Sequence, residues 1–600
     1  MAILAAALLL TVQAPDPSAV DPARLRADLR RLCAGERLAG GPGGGAAADL
    51  AAEVFAAAGL RVERTAFQVH APRQTGQELL ILPEEGPPVA LDLHERGFAE
   101  DPGSSEKVPP MHGLTAAGVA EGPVIHAGFG RAEDFAALRE AGVELTGAIA
   151  LIRYGRIYRG LKVANAEAAG CAGALLYTDD RDDGSARGPV LPEGPWRPPD
   201  GIQRGSVFNG DGDPATPGWA SLPGADRRPP AAHPGMVGIP SLPIGSANAR
   251  AVLGGAPPER GARGRRVRLR VEQDPRPVEI EDVLGWIDGS VRPDEWVLAG
   301  AHRDSWGPGA VDNGSGTVVL FETARVLGQA LAQGWRPDRT LVLATWDAEE
   351  WGLMGSTEWV ELRREELIGR GVAYLNLDTV ASGPSFGATC TPGLAEVLRA
   401  ACTAEGVSPP DSLGAPGGGS DHVPFLELAG MEVGAFGFHG ASGAYHSAYD
   451  TPWLVETHLD PDFAHHAAAA RLLIRLLTDL SGSGCRVDGL RGWSDRIGAA
   501  VAGLEADAEE RLSAAAADLA VAVQEAGARA PHPHRLLRFF LPSGGGRLLL
   551  WRSAGYGSAW FPELAGSGDR SLALARAERA LRRAARAIRA GAPAPAAGRQ

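Results

Sequence analysis

The sequence predicts an α/β chain: a doubly wound, mostly parallel sheet with an inserted second domain and a C-terminal helical domain. Three features carry this expectation. From Val278 to Leu480 short apolar runs alternate with longer runs of helical periodicity, the pattern of a sheet covered by helices on both faces. Before that, residues 182–240 are rich in glycine and proline and break the alternation. After Leu480 the chain turns alanine-rich and helical.

Taken in order, Leu25, Leu29 and Leu32 form one helical stripe and Ala51, Val54, Phe55 and Leu60 another, across a glycine-rich turn at 40–45. A strand is expected at 61–69. The glycine-rich turn follows a helix instead of a strand, so it is not a dinucleotide-binding loop. Between 76 and 277 the strand candidates are 123–126, 149–152 and 174–177, with a short helix at 164–170, an apolar helix at 246–253 and a charged turn run at 260–270. The alternating half then places strands at 283–286, 296–300, 340–344, 372–377 and 433–438, and helices at 316–331, 356–368, 394–404 and 461–480. Helices at 507–526 and 570–590, the second with a basic, solvated face, precede a frayed tail at 591–600. The expected division is a leader at 1–20, one α/β domain formed by 21–75 and 278–480, an insert at 76–277 and a helical domain at 481–600.

Composition narrows the function. The 600 residues are 44% hydrophobic and 22% charged, a globular balance. A formal charge of -15 argues against a nucleic-acid partner, which needs a basic surface. The five cysteines, Cys33, Cys171, Cys390, Cys402 and Cys485, are scattered and odd in number, so they cannot all pair within the chain. Residues 3–12 form an apolar run of signal-peptide length ahead of Val12-Gln13-Ala14, although no Lys or Arg precedes Arg24. Export to the periplasm or beyond is expected, with a cytoplasmic location as the alternative. The run is too short to span a bilayer, and no membrane span is expected elsewhere.

The chemistry sits in the second half. His302 and Asp304 follow one apolar run, Asp312 comes ten residues after the histidine, Asp347, Glu349 and Glu350 follow a second run, Asp378 a third, and Tyr445-His446-Ser447 comes later. In a doubly wound sheet the carboxyl ends of strands gather ligands at one edge. Two histidines and three carboxylates there can hold two zinc ions that share one bridging carboxylate. Asp312, flanked by Asn313, Gly314 and Gly316, is the candidate bridge. Asp304, at i+2 from His302, is placed to orient the imidazole through its other nitrogen. Glu349 and Glu350 are adjacent and need different tasks: one binds metal and the spare one, Glu349, serves as general base. Tyr445 is placed to donate to an oxyanion. This set points to a hydrolase acting on peptide bonds. His422 reads as a loop histidine at the edge of the pocket, and His439, His465 and His466 as structural or surface residues. The Gly383-Pro384-Ser385-Phe386-Gly387 match to a nucleophile elbow is read as chance, because strand-turn-helix context is missing.

These residues carry a resemblance. Gly300 to Trp306, the run from Trp346 through Glu350 to Gly355-Ser356-Thr357-Glu358-Trp359, Gly371 to Tyr374, and Tyr445-His446-Ser447 resemble the glutamate carboxypeptidase II and transferrin receptor-like group of aminopeptidase-like di-zinc peptidases. The resemblance implies a split zinc-peptidase domain, a protease-associated (apical) insert and a C-terminal helical dimerisation domain, hence a homodimer acting on small peptides. It implies that His302 and Asp378 hold one zinc, Glu350 and His446 the other, and Asp312 both, with Glu349 as base and Tyr445 stabilising substrate. It further implies a structural calcium held by Glu358 and Glu361 on one side and by Thr216 and Trp219 on the apical side, Trp219 through its carbonyl.

One departure bears on substrate. The arginines with which the carboxypeptidase grips an acidic C-terminal residue align with Gly387, Ala435 and Gly437 here, so glutamate specificity is not expected and a roomier or more apolar pocket is. All five metal ligands are kept, which argues against a purely binding role. The leading expectation is a carboxypeptidase- or dipeptidase-like exopeptidase; the alternatives are an aminopeptidase of the same group and a non-catalytic receptor-like dimer.

Overall fold

The computed structural model of the chain describes residues 13–590 apart from 106–107, 486, 488, 527–532, 543–546, 555–556 and 566–568. Residues 1–12 of the leader expected at 1–20 and the expected tail at 591–600 lie outside the described residues.

Two seven-stranded sheets organise the molecule. The first runs Arg61–Val69, Val278–Ile287, Arg339–Trp346, Arg292–His302, Gly371–Asn376, Glu432–His439, Ser385–Cys390. Its four central strands are mutually parallel, and the flanking ladders are antiparallel. The parallel character expected from the alternation therefore belongs to the centre alone. Parallel neighbours need a crossover. The link from Asn376 to Ser385 holds no helix, and Ser385–Cys390 lies antiparallel at the edge.

Arg339–Trp346 is buried at every residue, as a strand covered on both faces must be. Alternate side chains of Arg292–His302 feed opposite layers. Val297, Ala299 and Ala301 pack with Leu320, Phe321 and Leu473, from Gly316–Ala332 and Ala464–Ser481. Trp296 and Leu298 face the other way, toward Met354, Trp359 and Phe425. That second layer continues into the C-terminal helices Leu490–Ala502, Ala506–Ala526 and Arg570–Arg589, through Trp493, Leu512, Leu519 and Leu581.

The insert carries its own sheet, whose strands Gly118–His126, Ile149–Arg153, Gly173–Tyr177 and Ser241–Ile244 are parallel in that order. The stretch expected as a charged turn at 260–270 is instead part of the strand Arg263–Asp274. Val267, Leu269 and Val271 point inward, while Arg266 and Arg268 pair outward with Glu121; the arginines masked a period of two. Three further differences are local, and one expectation is met. The helix Pro42–Ala57 starts inside the glycine-rich run, because proline is well suited to a first helical turn. The helix expected at 356–368 is two, Met354–Leu362 and Arg364–Arg370. His422 opens the helix His422–Ala429 instead of lying in a loop. Ser385 begins an edge strand, so the nucleophile-elbow geometry is absent there. Among the described residues no helix is long and apolar enough to cross a membrane.

Candidate metal centre

The parallel register sets the site. His302 and Trp346 are register partners at the carboxyl ends of neighbouring strands, and Asn376 ends the strand on the other side. The residues just beyond those ends, 347–350 and 378, therefore converge beside His302. Ala348 has a left-handed backbone (φ 56°), which turns Glu349 and Glu350 back over the strand ends. Asp312 sits in the 310–315 turn before the helix Gly316–Ala332. The Asp450 carboxylate holds that turn, accepting from Val311 N at 2.8 Å and Asp312 N at 2.9 Å.

Two groups of side chains could each hold a metal ion: His302, Asp312 and Asp378, and Asp312, Glu350 and His446. Asp312 belongs to both. Its Oδ1 lies 3.2 Å from His302 Nε2 and its Oδ2 3.1 Å from His446 Nε2. Asp378 Oδ1 is 3.5 Å from His302 Nε2, and Glu350 Oε2 is 3.0 Å from His446 Nε2. Glu349 Oε2 stands back at 3.9 Å from His302 Nε2. Asp312 Oδ1 and Glu350 Oε1 are buried without any hydrogen bond. Burial holds Glu349 well above the usual carboxylate range, against the pull of His302. Burial would depress His302, but Glu349, Asp304, Asp312 and Asp378 outweigh it and raise the imidazole well above its ordinary value. Such a surplus of buried anionic oxygen calls for cations, and a nitrogen-and-oxygen donor set suits zinc.

Asp304 behaves differently from its expected role. His302 Nδ1 lies 3.1 Å from the Asp304 backbone carbonyl, while the carboxylate is 3.5 Å away. The carboxylate accepts instead from the backbone N–H groups of Glu349 at 3.0 Å and Glu350 at 3.2 Å. The strand ends at His302, so the i+2 alternation stops there and the carbonyl takes the place the side chain would have had.

These groups form the floor of a cavity of about 630 Å³. Its walls bring in Arg159, Phe208 and Asp211 from the insert and Arg547 from the C-terminal region. Tyr445 stacks on the His446 ring at 3.7 Å, and its hydroxyl accepts from Arg159 Nη2 at 3.2 Å. A Cβ at Gly205 (φ 136°) would collide with the Arg159 guanidinium, so only glycine leaves room for it. Arg547 ties the walls together through Asp211 and Glu427, at 2.5 and 2.6 Å. Sequence reasoning missed Arg159 and Arg547, which sit in stretches without a chemical motif. Gly387, Ala435 and Gly437 do not line the cavity. Gly387 and Gly437 are register partners at the sheet edge, where the His439 ring packs close to both. The roomier pocket expected at these positions is therefore not part of this cavity, and Ala435 lines a small apolar pocket with Cys390, Leu394 and Leu476 instead. His422 Nε2 donates to the Gly417 carbonyl, 2.9 Å away, and does not line the cavity either.

A second anionic cluster joins the insert to the first sheet's helices. Glu358, fully buried, accepts from Asp213 N at 2.8 Å and Ser221 N at 2.6 Å. Thr216 Oγ1 and Glu361 Oε2 are buried without hydrogen bonds. Burial pushes Glu361 up to about 7. Trp219 N donates to the Thr216 carbonyl at 3.2 Å.

Residues 282–472 match Peptidase family M28, and residues 116–212 match the PA domain. "Probable glutamate carboxypeptidase LAMP1" of Arabidopsis thaliana is 38% identical over 485 residues, which cover 76% of this chain and 70% of that protein. "Probable glutamate carboxypeptidase VP8" of Zea mays is 35% identical over 503 residues, covering 76% and 67%. "Aminopeptidase NAALADL1" of Mus musculus is 36% identical over 449 residues, covering 65% and 60%. Two solved structures share the fold: BSAP, a zinc aminopeptidase from Bacillus subtilis, with a TM-score of 0.53 and 21% identity over 78% of this chain and 97% of that one, and a peptidase M28 precursor from Shewanella amazonensis SB2B, with 0.54 and 20% over 78% and 95%.

Proposed function

The chain belongs to peptidase family M28 and is a zinc-dependent metallo-exopeptidase, and from that premise we propose that it uses two zinc ions to release residues from the carboxyl end of small peptides. The observation that carries the two-metal reading is Asp312, whose two oxygens face two different histidines at 3.2 and 3.1 Å. His302 and Asp378 would hold one zinc, Glu350 and His446 the other, with Asp312 between them. Zinc held there would lower the pKa of water to about 7 and polarise the scissile carbonyl.

The chain's own groups do the rest. Glu349, held out of the closest contacts with His302, accepts the proton from the attacking water and returns it to the leaving amine. Asp304 fixes the backbone of both Glu349 and Glu350, so base and ligand keep a constant spacing. Arginine has no acceptor atom; Tyr445 therefore accepts from Arg159 and directs its own hydrogen to another acceptor, the oxygen that gains charge as water attacks.

The carboxyl-end reading rests on Arg159, a cation on the cavity wall 3.2 Å from Tyr445. A guanidinium there suits a free terminal carboxylate. A cavity of about 630 Å³ suits a short peptide. The aminopeptidase reading draws on the likeness to NAALADL1. Hydrolysis of matched dipeptides blocked at one end or the other decides between them: cleavage of N-acylated peptides and failure on C-amidated ones supports the carboxyl-end reading, and the opposite pattern overturns it. Absence of zinc-dependent turnover on either set would favour the non-catalytic dimer.

Two further readings follow the resemblance. A calcium ion at Thr216, Trp219, Glu358 and Glu361 is supported by the orphaned Thr216 and Glu361 oxygens. An exported homodimer, formed through the C-terminal helices, follows the resemblance, and the apolar run at 3–12 supports the export.

A further inference from the structure

The two candidate metal groups are not supported in the same way. His302 has its Nδ1 held by the carbonyl of Asp304, two residues along its own chain. His446 has its Nδ1 3.2 Å from the carbonyl of Arg204, 242 residues away in the insert. A carbonyl can only accept, so this bond places the hydrogen on Nδ1 and leaves the Nε2 lone pair toward Asp312 and Glu350. The bond is reciprocal: Arg204 N donates to the His446 carbonyl at 3.0 Å.

Arg204 is itself fixed on every side. Its guanidinium is fully buried and pairs with Glu95 at 2.7 Å; the two side chains are 0% and 2% exposed. Nε donates to Pro109 O at 2.8 Å and Nη2 to Val108 O at 2.7 Å. Nη1 lies 3.2 Å from Ile202 O and 3.4 Å from His446 O. Glu95 reaches both strands of this junction, accepting from Ile202 N at 2.8 Å and Ala448 N at 3.2 Å. Arg197, also from the insert, donates to the Tyr445 carbonyl at 2.8 Å. The loop so held is not in a relaxed conformation, since His446 has φ 57°, a region a non-glycine residue occupies only when its surroundings impose it.

Resting on the two-zinc reading above, we propose that Arg204 and Glu95 are positioning residues for His446, so that the metal group of Asp312, Glu350 and His446 is completed by the insert while that of His302, Asp312 and Asp378 is not. Partners that hold a metal-binding histidine in this way tune affinity by about 10–100-fold. A buried arginine with this many acceptors is not replaced by lysine, which lacks the planar fork.

The test is zinc titration of the full chain in metal buffers, read as zinc per chain and as the visible spectrum of the cobalt-substituted protein, for wild type, Arg204→Lys and Glu95→Gln. The expected result is two sites in wild type and selective weakening of one of them, by about 10–100-fold in Arg204→Lys and less in Glu95→Gln, with the other unchanged. The cobalt spectrum should change for one site only, which general destabilisation would not produce. Glu95→Gln keeps the shape of the side chain and carries the test if Arg204→Lys does not fold. Either folded variant holding both metals with wild-type affinity, or losing both in parallel, overturns the proposal. A wild-type chain that takes up fewer than two zinc ions would instead overturn the two-zinc reading itself.

Discussion

Arg159 Nη2 donates to the Tyr445 hydroxyl across 3.2 Å, joining the insert to the loop that carries His446. The bond sets a cation and a phenol side by side above the metal groups, on the wall of the cavity. Substitution separates the two tasks of Arg159. Arg159→Leu is expected to lower kcat/KM on peptides with a free carboxyl terminus by about 10–100-fold, the worth of one charged hydrogen-bonding partner. C-amidated peptides should change little. An equal loss on both series would show that Arg159 acts only by placing Tyr445.

Glu349→Gln removes the proton acceptor and keeps the shape of the side chain. Zinc content should stay at the wild-type level while kcat falls by about 10²–10⁴-fold. Full turnover in a zinc-loaded variant would remove Glu349 from the reaction.

Metal removal should be felt in stability as well as activity. Asp312, Glu349 and Glu350 are all buried carboxylates, and divalent cations offset their mutual repulsion only in the folded chain. Zinc at about 100 times its dissociation constant should add about 2.7 kcal/mol to unfolding for each occupied site. Asp312→Ala should abolish most of that gain, because both groups use this residue. The check is the melting temperature of the chelator-treated protein with and without added zinc.

Calcium offers a separate readout. With Thr216 Oγ1 and Glu361 Oε2 buried and unpartnered, calcium should raise the melting temperature of wild type without changing zinc content. Glu358→Gln should lose this response. A wild-type melt insensitive to calcium in a chelator-treated sample would argue that the cluster holds no cation.

Lys162 gives the chain a pH-dependent component of stability. Its Nζ donates to Phe129 O and Gly155 O, both at 2.6 Å, and burial pulls its pKa down to about 7. An unfolded lysine titrates near about 10.4. Between those values the unfolded chain binds a proton that the folded chain does not, so stability rises as pH increases from about 7 to about 10, and below about 7 this group adds no further pH dependence. Lys162→Met should flatten this rise, which is worth up to about 5 kcal/mol. Denaturant unfolding of both proteins from pH 6 to 10 measures it; parallel curves would reject the assignment.

The sequence by itself determined the α/β class, the order of most strands and helices, and the candidate ligands. His302, Glu350 and Asp378 follow apolar runs of strand length, and in a parallel sheet such runs end along one edge, so spacing alone implies their convergence, whereas Asp312 and His446 come from the 310–315 turn and the segment after Glu432–His439. Charge hid the strand Arg263–Asp274, because arginines on its outer face outnumber the apolar residues between them. Only the tertiary structure decided that Asp304 acts through its carbonyl on His302 and through its carboxylate on the 349–350 backbone. It alone brought Arg159, Arg204 and Glu95 to the site. These three lie in the insert, far from His446 along the chain. Their importance comes from buried hydrogen bonds between distant segments, which leave no period and no motif in the order of residues.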